Sequence, residues 1–186
     1  YQAAQDLADT MITHFRAPGG GFYDTSDDHE GLIVRPRDIQ DNATPSGNAM
    51  AATALLKLAG LAVEPRYVEL GKEALAGVQQ FLGQYPLGFG QWLVALDYAL
   101  SRPREIAIVG EPGAPDTQAL LEVATGGFRP HQVVALGDAD QEVAAVPLLA
   151  GRPAVDGQAA AYVCQDFSCQ APVTDADALQ TLLGSR

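Results

Sequence analysis

Apolar residues recur every three or four positions over the first part of the chain, which is typical of helices that bury one face. From Gln2 to Arg16 this spacing applies to four side chains: Leu7, Met11, Ile12 and Phe15. Three more helices are predicted, one from Ser46 to Ala59, one that begins at Pro65 and one from Phe89 to Leu100. Gly60 follows the second of these helices and is expected to end it.

The predicted helices differ in how much of their circumference is apolar. The helix over 46–59 is rich in Gly and Ala, so neighbouring helices can approach it closely on every side. The helix after Pro65 has one apolar stripe and one charged side, whereas the helix over 89–100 carries a single charge, Asp97. We interpret the second and fourth helices as inner and the third as outer, which is the arrangement of consecutive helical hairpins.

Two helical hairpins cannot bury all of their apolar surface alone, since units of this kind need neighbours on their flanks. The exposed apolar face would be larger than monomers usually tolerate. We therefore expect the helical part to self-associate, as a two-fold dimer because that is the commonest closed arrangement.

The periodicity changes in the second half of the chain. Three short apolar runs there are typical of buried strands: 105–110, 132–137 and 159–164. Asp116 is expected to cap a helix between the first two strands, and Thr174 is expected to cap a last helix. This alternation predicts a small, mostly parallel three-strand sheet with right-handed crossovers. The predicted fold class is α+β, with helical hairpins in residues 1–104 and a small α/β domain in residues 105–186.

A long polar loop is predicted near the N-terminus. Phe22–Asp24 and Leu32–Val34 flank the acidic segment Thr25–Gly31, which predicts a short β-hairpin or an Ω-like loop within residues 20–35. Loops of this length in compact domains are often functional. His29 lies in this loop beside three carboxylates, which would favour the protonated imidazole. Both a solvated histidine and a site histidine fit this pattern.

Polar side chains converge on the start of the second predicted helix. Thr44 is expected to cap this helix, with a proline at the first helical position. Asp41 and Asn42 precede the helix start, and Ser46 and Asn48 follow within one turn. The unpaired backbone N–H groups and the positive end of the helix dipole point to the same place. Asp41 is either a functional carboxylate or a plain loop or cap residue.

The charge balance argues against a nucleic-acid partner. The chain has 11 Lys and Arg against 23 Asp and Glu, a formal net charge of -12. Binding to phosphates needs clustered basic side chains, and the few bases here form no run. The sequence also has no apolar run of about 18 residues that would predict a membrane span. Because it begins at Tyr1, we expect the chain to be part of a longer protein.

Cys164 and Cys169 are the only cysteines of the chain. So few cysteines favour a reducing, cytoplasmic compartment and free thiols, and the alternatives are a disulfide or a redox-active pair. Two cysteines do not make a structural zinc site. The turn Gly110–Gly113 does not match a phosphate-binding fingerprint, and Glu111 would repel an anion. We predict neither a metal nor a cofactor.

Several segments closely resemble one large, poorly characterised family. These segments are Gly20–Thr25, Leu32–Arg37, Asp41–Asn48, Tyr162–Cys164 and Cys169–Asp175. The family, which includes the spermatogenesis-associated thioredoxin-like proteins of animals, has an N-terminal thioredoxin-like domain followed by a helical toroid. That toroid is similar to six-hairpin glycosidases and N-acylglucosamine 2-epimerases. The resemblance implies that residues 1–104 are the last hairpins of an α/α toroid, whose partners are the thioredoxin-like domain and the other hairpins of the parent protein.

The resemblance also implies a function. Carbohydrate-acting enzymes with a similar toroid have their sites at the ends of inner helices, where the segment around Asp41 falls. The implied site is part of a glycosidase-like or sugar-isomerase-like cavity in which Asp41 is the acid, the base or a polar anchor. Its amides and hydroxyls would bind the hydroxyls of a carbohydrate, and its arginines an anionic group. The candidate binding residues are Asp24, His29, Arg35, Arg37, Asn42, Ser46 and Asn48.

A non-catalytic scaffold is the alternative function. In that case the cavity binds a small polar molecule or a peptide, and the C-terminal sheet docks another domain, such as the thioredoxin-like one. A second carboxylate facing Asp41 would favour the enzyme, whereas its absence would favour binding, because the fold alone does not fix the function.

Overall fold

A computed structural model describes residues 1–28, 30–31, 33–138, 145–166 and 168–184 of the chain. The helices are α1 (Gln2–Phe15), α2 (Gly47–Ala62), α3 (Pro65–Ala76), α4 (Gln79–Leu82), α5 (Gly90–Leu100), α6 (Pro115–Thr125) and α7 (Ala176–Leu183). The strands are β1 (Arg104–Val109), β2 (Gln132–Gly137), β3 (Ala160–Gln165) and β4 (Ser168–Cys169). This mixture of helices with a small sheet confirms the predicted α+β class. None of the described helices is long and apolar enough to cross a membrane.

The chain divides into two compact units. The helical unit consists of Tyr1–Ala59 and Glu64–Ser101, and the sheet unit consists of Gly60–Val63 and Arg102–Arg186. Each unit has a hydrophobic core of its own. The change in periodicity along the sequence predicts a boundary after residue 104.

The core of the helical unit includes one face of α2. Ala49 and Ala52 are fully buried, and their small side chains let other helices approach closely. Larger side chains pack around them: Leu56, Leu75, Val78, Leu82, Phe89, Trp92 and Tyr98. Trp92 is completely buried and donates its indole N–H to the Ile39 carbonyl at 2.8 Å. The ring can be buried at this position because its polar atom has found a partner.

Helix α2 is buried around most of its circumference. Its exposed positions before Gly60 form one narrow strip: Gly47, Met50, Ala54 and Lys57. On α5, the large apolar side chains that remain exposed are Val94 and Leu100. The apolar surface left open on these two helices is therefore narrower than the sequence predicted. Self-association of the chain stays a prediction.

Helix α2 begins later than the sequence predicted. Its first residue is Gly47, and the Ser46 hydroxyl accepts a hydrogen bond from the Ala49 N–H at 3.1 Å. Ser46 is therefore the cap, and the expectation for Thr44 was wrong. The reason is the preceding turn, in which the Asn42 N–H donates to the Thr44 carbonyl at 3.0 Å and keeps this segment out of the helix.

No strand occurs among the described residues from 20 to 35, so the predicted β-hairpin is absent there. Phe22 instead forms an isolated bridge with Arg16, directly after α1. Gly19–Gly21 have positive φ angles of 86°, 95° and 72°, a conformation that only glycine adopts easily. This run of glycines turns the chain back onto the end of α1 without a strand ladder.

The sheet has the strand order β2-β1-β3-β4. β1 runs parallel to β2 but antiparallel to β3, and β3 runs antiparallel to β4. The expectation of three mostly parallel strands was therefore wrong. A parallel return needs a crossover, which α6 supplies between β1 and β2, whereas the described residues between β2 and β3 contain only a 3₁₀ turn at Pro147–Leu149. The fourth strand has only two residues and leaves no apolar run in the sequence.

Cys164 and Cys169 form a disulfide, so the expectation of free thiols was wrong. The two residues stand directly opposite each other in the antiparallel pair of β3 and β4. Side chains at directly opposite positions of such a pair lie close together. The sequence left this open, because it is the pairing of the two strands that brings the sulfurs into contact.

The start of α6 is tied to the residue before β3 by Asp116. Ala114 is the N-cap and Pro115 the first helical residue, so Asp116 is not the cap that the sequence predicted. Its carboxylate accepts hydrogen bonds from the N–H groups of Thr117 and Ala159, both at 2.9 Å. The bond from Ala159, followed by the bond from Thr117, lowers the pKa of Asp116.

Helix α7 is also capped one position later than predicted. The Asp175 carboxylate accepts the Ala178 N–H at 2.8 Å, so Asp175 takes the place expected for Thr174. Both residue types are good caps, and a carboxylate has the added benefit of meeting the positive end of the helix dipole.

Asp116→Asn should destabilise the sheet unit at neutral pH, because an amide cannot replace both carboxylate acceptors. A carboxyl group whose pKa is lowered by folding stabilises the protein above its unfolded-state pKa, and this effect is lost as the pH falls through the folded-state pKa. The difference in unfolding free energy between wild type and variant should therefore shrink in acid.

Urea titrations at neutral and acidic pH measure this difference. Glu122→Gln, at an exposed position on the same helix, controls for the removed charge. A difference that stays constant with pH would contradict the role assigned to Asp116.

Candidate functional site

Asp41 lies between the N-termini of α2 and α5. One carboxylate oxygen accepts the N–H of Ser46 and the other accepts the N–H of Gln91, both at 2.8 Å. The first N–H groups of a helix have no partner within the helix, so a carboxylate satisfies them and meets the positive end of the dipole. Asp41 therefore joins two helix starts, and its partner Gln91 is 50 positions away from it in the sequence.

Asn48 is almost completely buried, with 1% of its surface exposed. Its side-chain oxygen accepts the Phe22 N–H at 2.7 Å, and its amide nitrogen donates to the carbonyls of Phe22 at 2.8 Å and Asp38 at 3.2 Å. These three bonds use most of the capacity of the amide. The structure thus brings Asn48 together with Asp41 and Ser46 at the start of α2, but it engages the Asn48 side chain with the backbone.

Arg35 and Arg37 are both half-buried in the helical unit. Arg35 donates to the His14 carbonyl at 2.9 Å, and its guanidinium carbon lies 4.1 Å from the centre of the Tyr23 ring. The second contact is a cation–π interaction. The guanidinium of Arg37 lies over Gly21, where a Cβ atom would overlap it. Both arginines therefore pack against the segment that follows α1.

The remaining predicted site residues bond to backbone groups or are exposed to solvent. Asp24 is exposed and accepts the Asp38 N–H at 2.7 Å. Asn42 is exposed on the turn before α2. Ser46 is buried because its hydroxyl caps the helix. His29 lies outside the described residues.

A cavity of about 760 Å³ opens beside Asp41 and contains none of the residues predicted for the site. Its walls are formed by Ile39, Gln40, Phe81, Gln84, Tyr85, Pro86, Leu87, Gly88 and Phe89. The rings of Phe81 and Phe89 stack with their centroids 5.9 Å apart. Asp41 adjoins this wall because its N–H donates to the Gly88 carbonyl at 2.8 Å.

Sequence reasoning missed this cavity because two distant segments, 39–40 and 81–89, form it together. The one available signal was Tyr85–Gly88, an apolar and aromatic stretch between two helices. In the structure Tyr85 is 61% exposed and Leu87 is fully exposed. Exposed large apolar side chains that lie together are a common mark of a binding surface.

A small polar cluster lies near the end of α1. His14, Asp27 and Asp28 offer possible metal-ligand atoms within 4.8 Å of one another. The His14 Nδ1 atom lies 2.8 Å from the Asp27 carboxylate, and Asp28 accepts a hydrogen bond from the Ser26 hydroxyl. Exposed acidic groups often cluster in this way without an ion, so the cluster carries no metal assignment.

The chain is similar to spermatogenesis-associated protein 20 of Homo sapiens, with 29% identity over 183 residues and 96% of the chain covered. The protein of the same name from Rattus norvegicus is 29% identical over 184 residues, and that from Mus musculus 28% over 197 residues. No model of a known protein family matches the chain. The chain spans about a quarter of the length of these relatives, 23% to 25%. It is therefore homologous to one part of a longer protein whose name specifies no reaction.

Removing the charge of Asp41 should destabilise the helical unit. In Asp41→Asn one of the two backbone N–H groups loses its acceptor, which should cost about 1–2 kcal/mol, and Asp41→Ala should cost about twice as much. Urea unfolding followed by the fluorescence of Trp92, the single tryptophan, measures this.

Glu69→Gln is the matched control, because Glu69 is exposed on α3 and its loss should change the unfolding free energy by no more than about 0.5 kcal/mol. If Asp41→Asn behaves like this control, then Asp41 does not join the two helices in solution.

Proposed function

We propose that the helical unit contributes a binding cavity for a neutral carbohydrate and performs no chemistry on it. The observation that carries this proposal is the cavity beside Asp41, whose walls combine aromatic rings with uncharged amides. Its volume of about 760 Å³ falls within the range of small-molecule sites. Because none of its described lining residues carries a charge, a neutral ligand suits it better than an ionic one.

Aromatic and amide side chains provide what a neutral sugar needs. The C–H bonds on one face of a sugar ring pack against an aromatic ring, and its hydroxyls both donate and accept hydrogen bonds. The Tyr85 ring is exposed in the cavity wall and is available for such stacking. Gln40 and Gln84 are exposed in the same wall, and neither side chain has a hydrogen-bond partner among the described residues. One ring and two amides can therefore face a ligand together.

A binding site is better supported than a processing site. Glycoside hydrolysis uses two carboxyl groups placed roughly 5 to 9.5 Å apart on either side of the scissile bond. The described lining residues include no carboxylate, and Asp41 uses both of its oxygens on backbone N–H groups. To act as a general acid, Asp41 would have to weaken its hold on the helix starts.

The chain matches only one part of each relative, so the rest of the cavity has to be considered as well. Since the chain spans about a quarter of spermatogenesis-associated protein 20, other walls of the site would come from outside this chain. The resemblance to α/α toroids agrees with this, because carbohydrate sites of such toroids lie at the ends of inner helices. The two helices interpreted as inner, α2 and α5, both begin at Asp41. We propose that the chain supplies this end of a toroid.

Tyr85→Ala should weaken carbohydrate binding while leaving the fold intact, because Tyr85 is exposed and the variant removes only the stacking surface. Cellobiose, maltose and N,N′-diacetylchitobiose are suitable neutral probes, and calorimetry or the fluorescence of Trp92 reports binding. Trp92 is a useful reporter because its indole donates to Ile39, which lines the cavity. We expect weak, saturable binding of at least one probe to the wild type and a loss of affinity of about tenfold or more in the variant.

Phe128→Ala is the matched control, since Phe128 is an aromatic residue of the sheet unit that is 92% exposed. It should bind the probes like the wild type. Binding that is undiminished in Tyr85→Ala, or that is absent from a folded wild-type chain for all three probes, would contradict the proposed function.

A further inference from the structure

The disulfide between Cys164 and Cys169 has one protected and one accessible end. Cys164 is 1% exposed in β3, whereas Cys169 is exposed on β4, an edge strand of the sheet. Thiol–disulfide exchange proceeds when a thiolate attacks one sulfur and the other sulfur leaves. Burial therefore sets the order: an incoming thiolate can reach Cys169, and Cys164 becomes the leaving group.

The guanidinium group of Arg152 lies against both sulfurs. Its Nη2 atom is 3.2 Å from the Cys169 sulfur and 3.6 Å from the Cys164 sulfur. Its Nη1 atom donates to the carbonyls of Leu148 and Ala150, and these bonds hold the group in place. A cation gains little from a neutral disulfide but strongly stabilises a thiolate. The position of Arg152 therefore favours a thiolate at either sulfur, including the buried one.

Glu105 competes with a thiolate for the charge of Arg152, since it stands opposite Cys164 in the pair of β1 and β3. Burial, followed by the negative charge of Asp166, raises the pKa of Glu105, while Arg152 acts in the opposite direction. Glu105 is thus the acidic group with which a thiolate at Cys164 would share Arg152.

The disulfide closes a short loop. The two cysteines are five positions apart, and closing so short a loop removes less entropy from the unfolded chain than closing a long one does. β3 is also held along its length by antiparallel pairing with the strand β1. Neither of these stabilising effects requires an arginine at the two sulfurs.

We propose that the Cys164–Cys169 disulfide is an exchange site for a dithiol reductant, and that Arg152 stabilises the thiolate released from Cys164. In the first step a thiolate of the reductant attacks the Cys169 sulfur. A mixed disulfide forms, the bond between the two cysteine sulfurs breaks, and Cys164 leaves as a thiolate beside Arg152.

In the second step the other thiol of the reductant loses its proton to solvent and attacks the reductant's own sulfur in the mixed disulfide. Cys169 is released as a thiolate and takes a proton from solvent. The reductant has lost two electrons and become a disulfide, and the cysteine pair has gained these two electrons. No further oxidant or reductant is needed.

Reduction of the chain by dithiothreitol, quenched by alkylation and read by mass spectrometry, measures both the rate and the equilibrium. Arg152→Gln should slow reduction and shift the equilibrium toward the disulfide, each by about tenfold, and a tenfold shift equals about 30 mV for this two-electron couple.

Arg152→Lys should keep most of the wild-type rate because it keeps the charge. Arg102→Gln, at an exposed arginine of the same unit, should behave like the wild type. Equal rates in Arg152→Gln and Arg102→Gln would overturn the proposal.

Variants with a single cysteine test the order of attack without any change at Arg152. Cys164→Ser leaves the exposed Cys169, and Cys169→Ser leaves the buried Cys164. An aromatic disulfide reagent should react about tenfold faster with the first variant than with the second, because access limits attack at the buried sulfur. Equal or reversed rates would show that burial does not select Cys169 and would overturn the proposal.

Discussion

One carboxylate, shared by two helix starts, organises the helical unit. The first N–H groups of a helix find no acceptor within that helix, and leaving them unpaired away from water is costly. Asp41 accepts one such group at α5 and the N–H of the cap residue Ser46 at α2. Its own N–H donates to Gly88 in the cavity wall, and the neighbouring Ile39 carbonyl accepts the indole N–H of Trp92. The core and the cavity are therefore positioned by the same short segment.

The polar side chains near α2 converge because irregular backbone needs partners. Between α1 and α2 the described residues form neither a helix nor an extended strand, so their N–H and carbonyl groups must be satisfied in other ways. Asn48 binds both backbone groups of Phe22, and Arg35 donates to the carbonyl of Thr25. A ligand site uses the same residue types for the same bonds. The cavity wall differs from the residues around α2 in this respect. Its amide side chains are exposed and are still available to a ligand.

The polar groups of interest are exposed amides in the helical unit and a partly buried cysteine pair in the sheet unit. In the helical unit the cavity wall is uncharged and its amides are open to solvent. In the sheet unit the central strand β1 is flanked by β2 and β3, and β4 forms an edge. That edge position exposes Cys169 while Cys164 stays inside, and Arg152 brings a positive charge to both sulfurs. Each unit thus has its own candidate chemistry, carried by its own residues.

The sequence by itself determined most of the secondary-structure elements, because helices and buried strands have characteristic spacings of apolar residues along the chain. It predicted α1, α5 and the first three strands close to their observed bounds, the start of α3 at Pro65, and the α+β class. Only the tertiary structure decided how distant parts meet. The direction of β3, the bond between Cys164 and Cys169, the cavity between residues 39–40 and 81–89, and the bond from Gln91 to Asp41 all depend on such meetings. The spacing of neighbouring residues cannot predict these contacts, since the packing of the whole unit decides which distant residues meet.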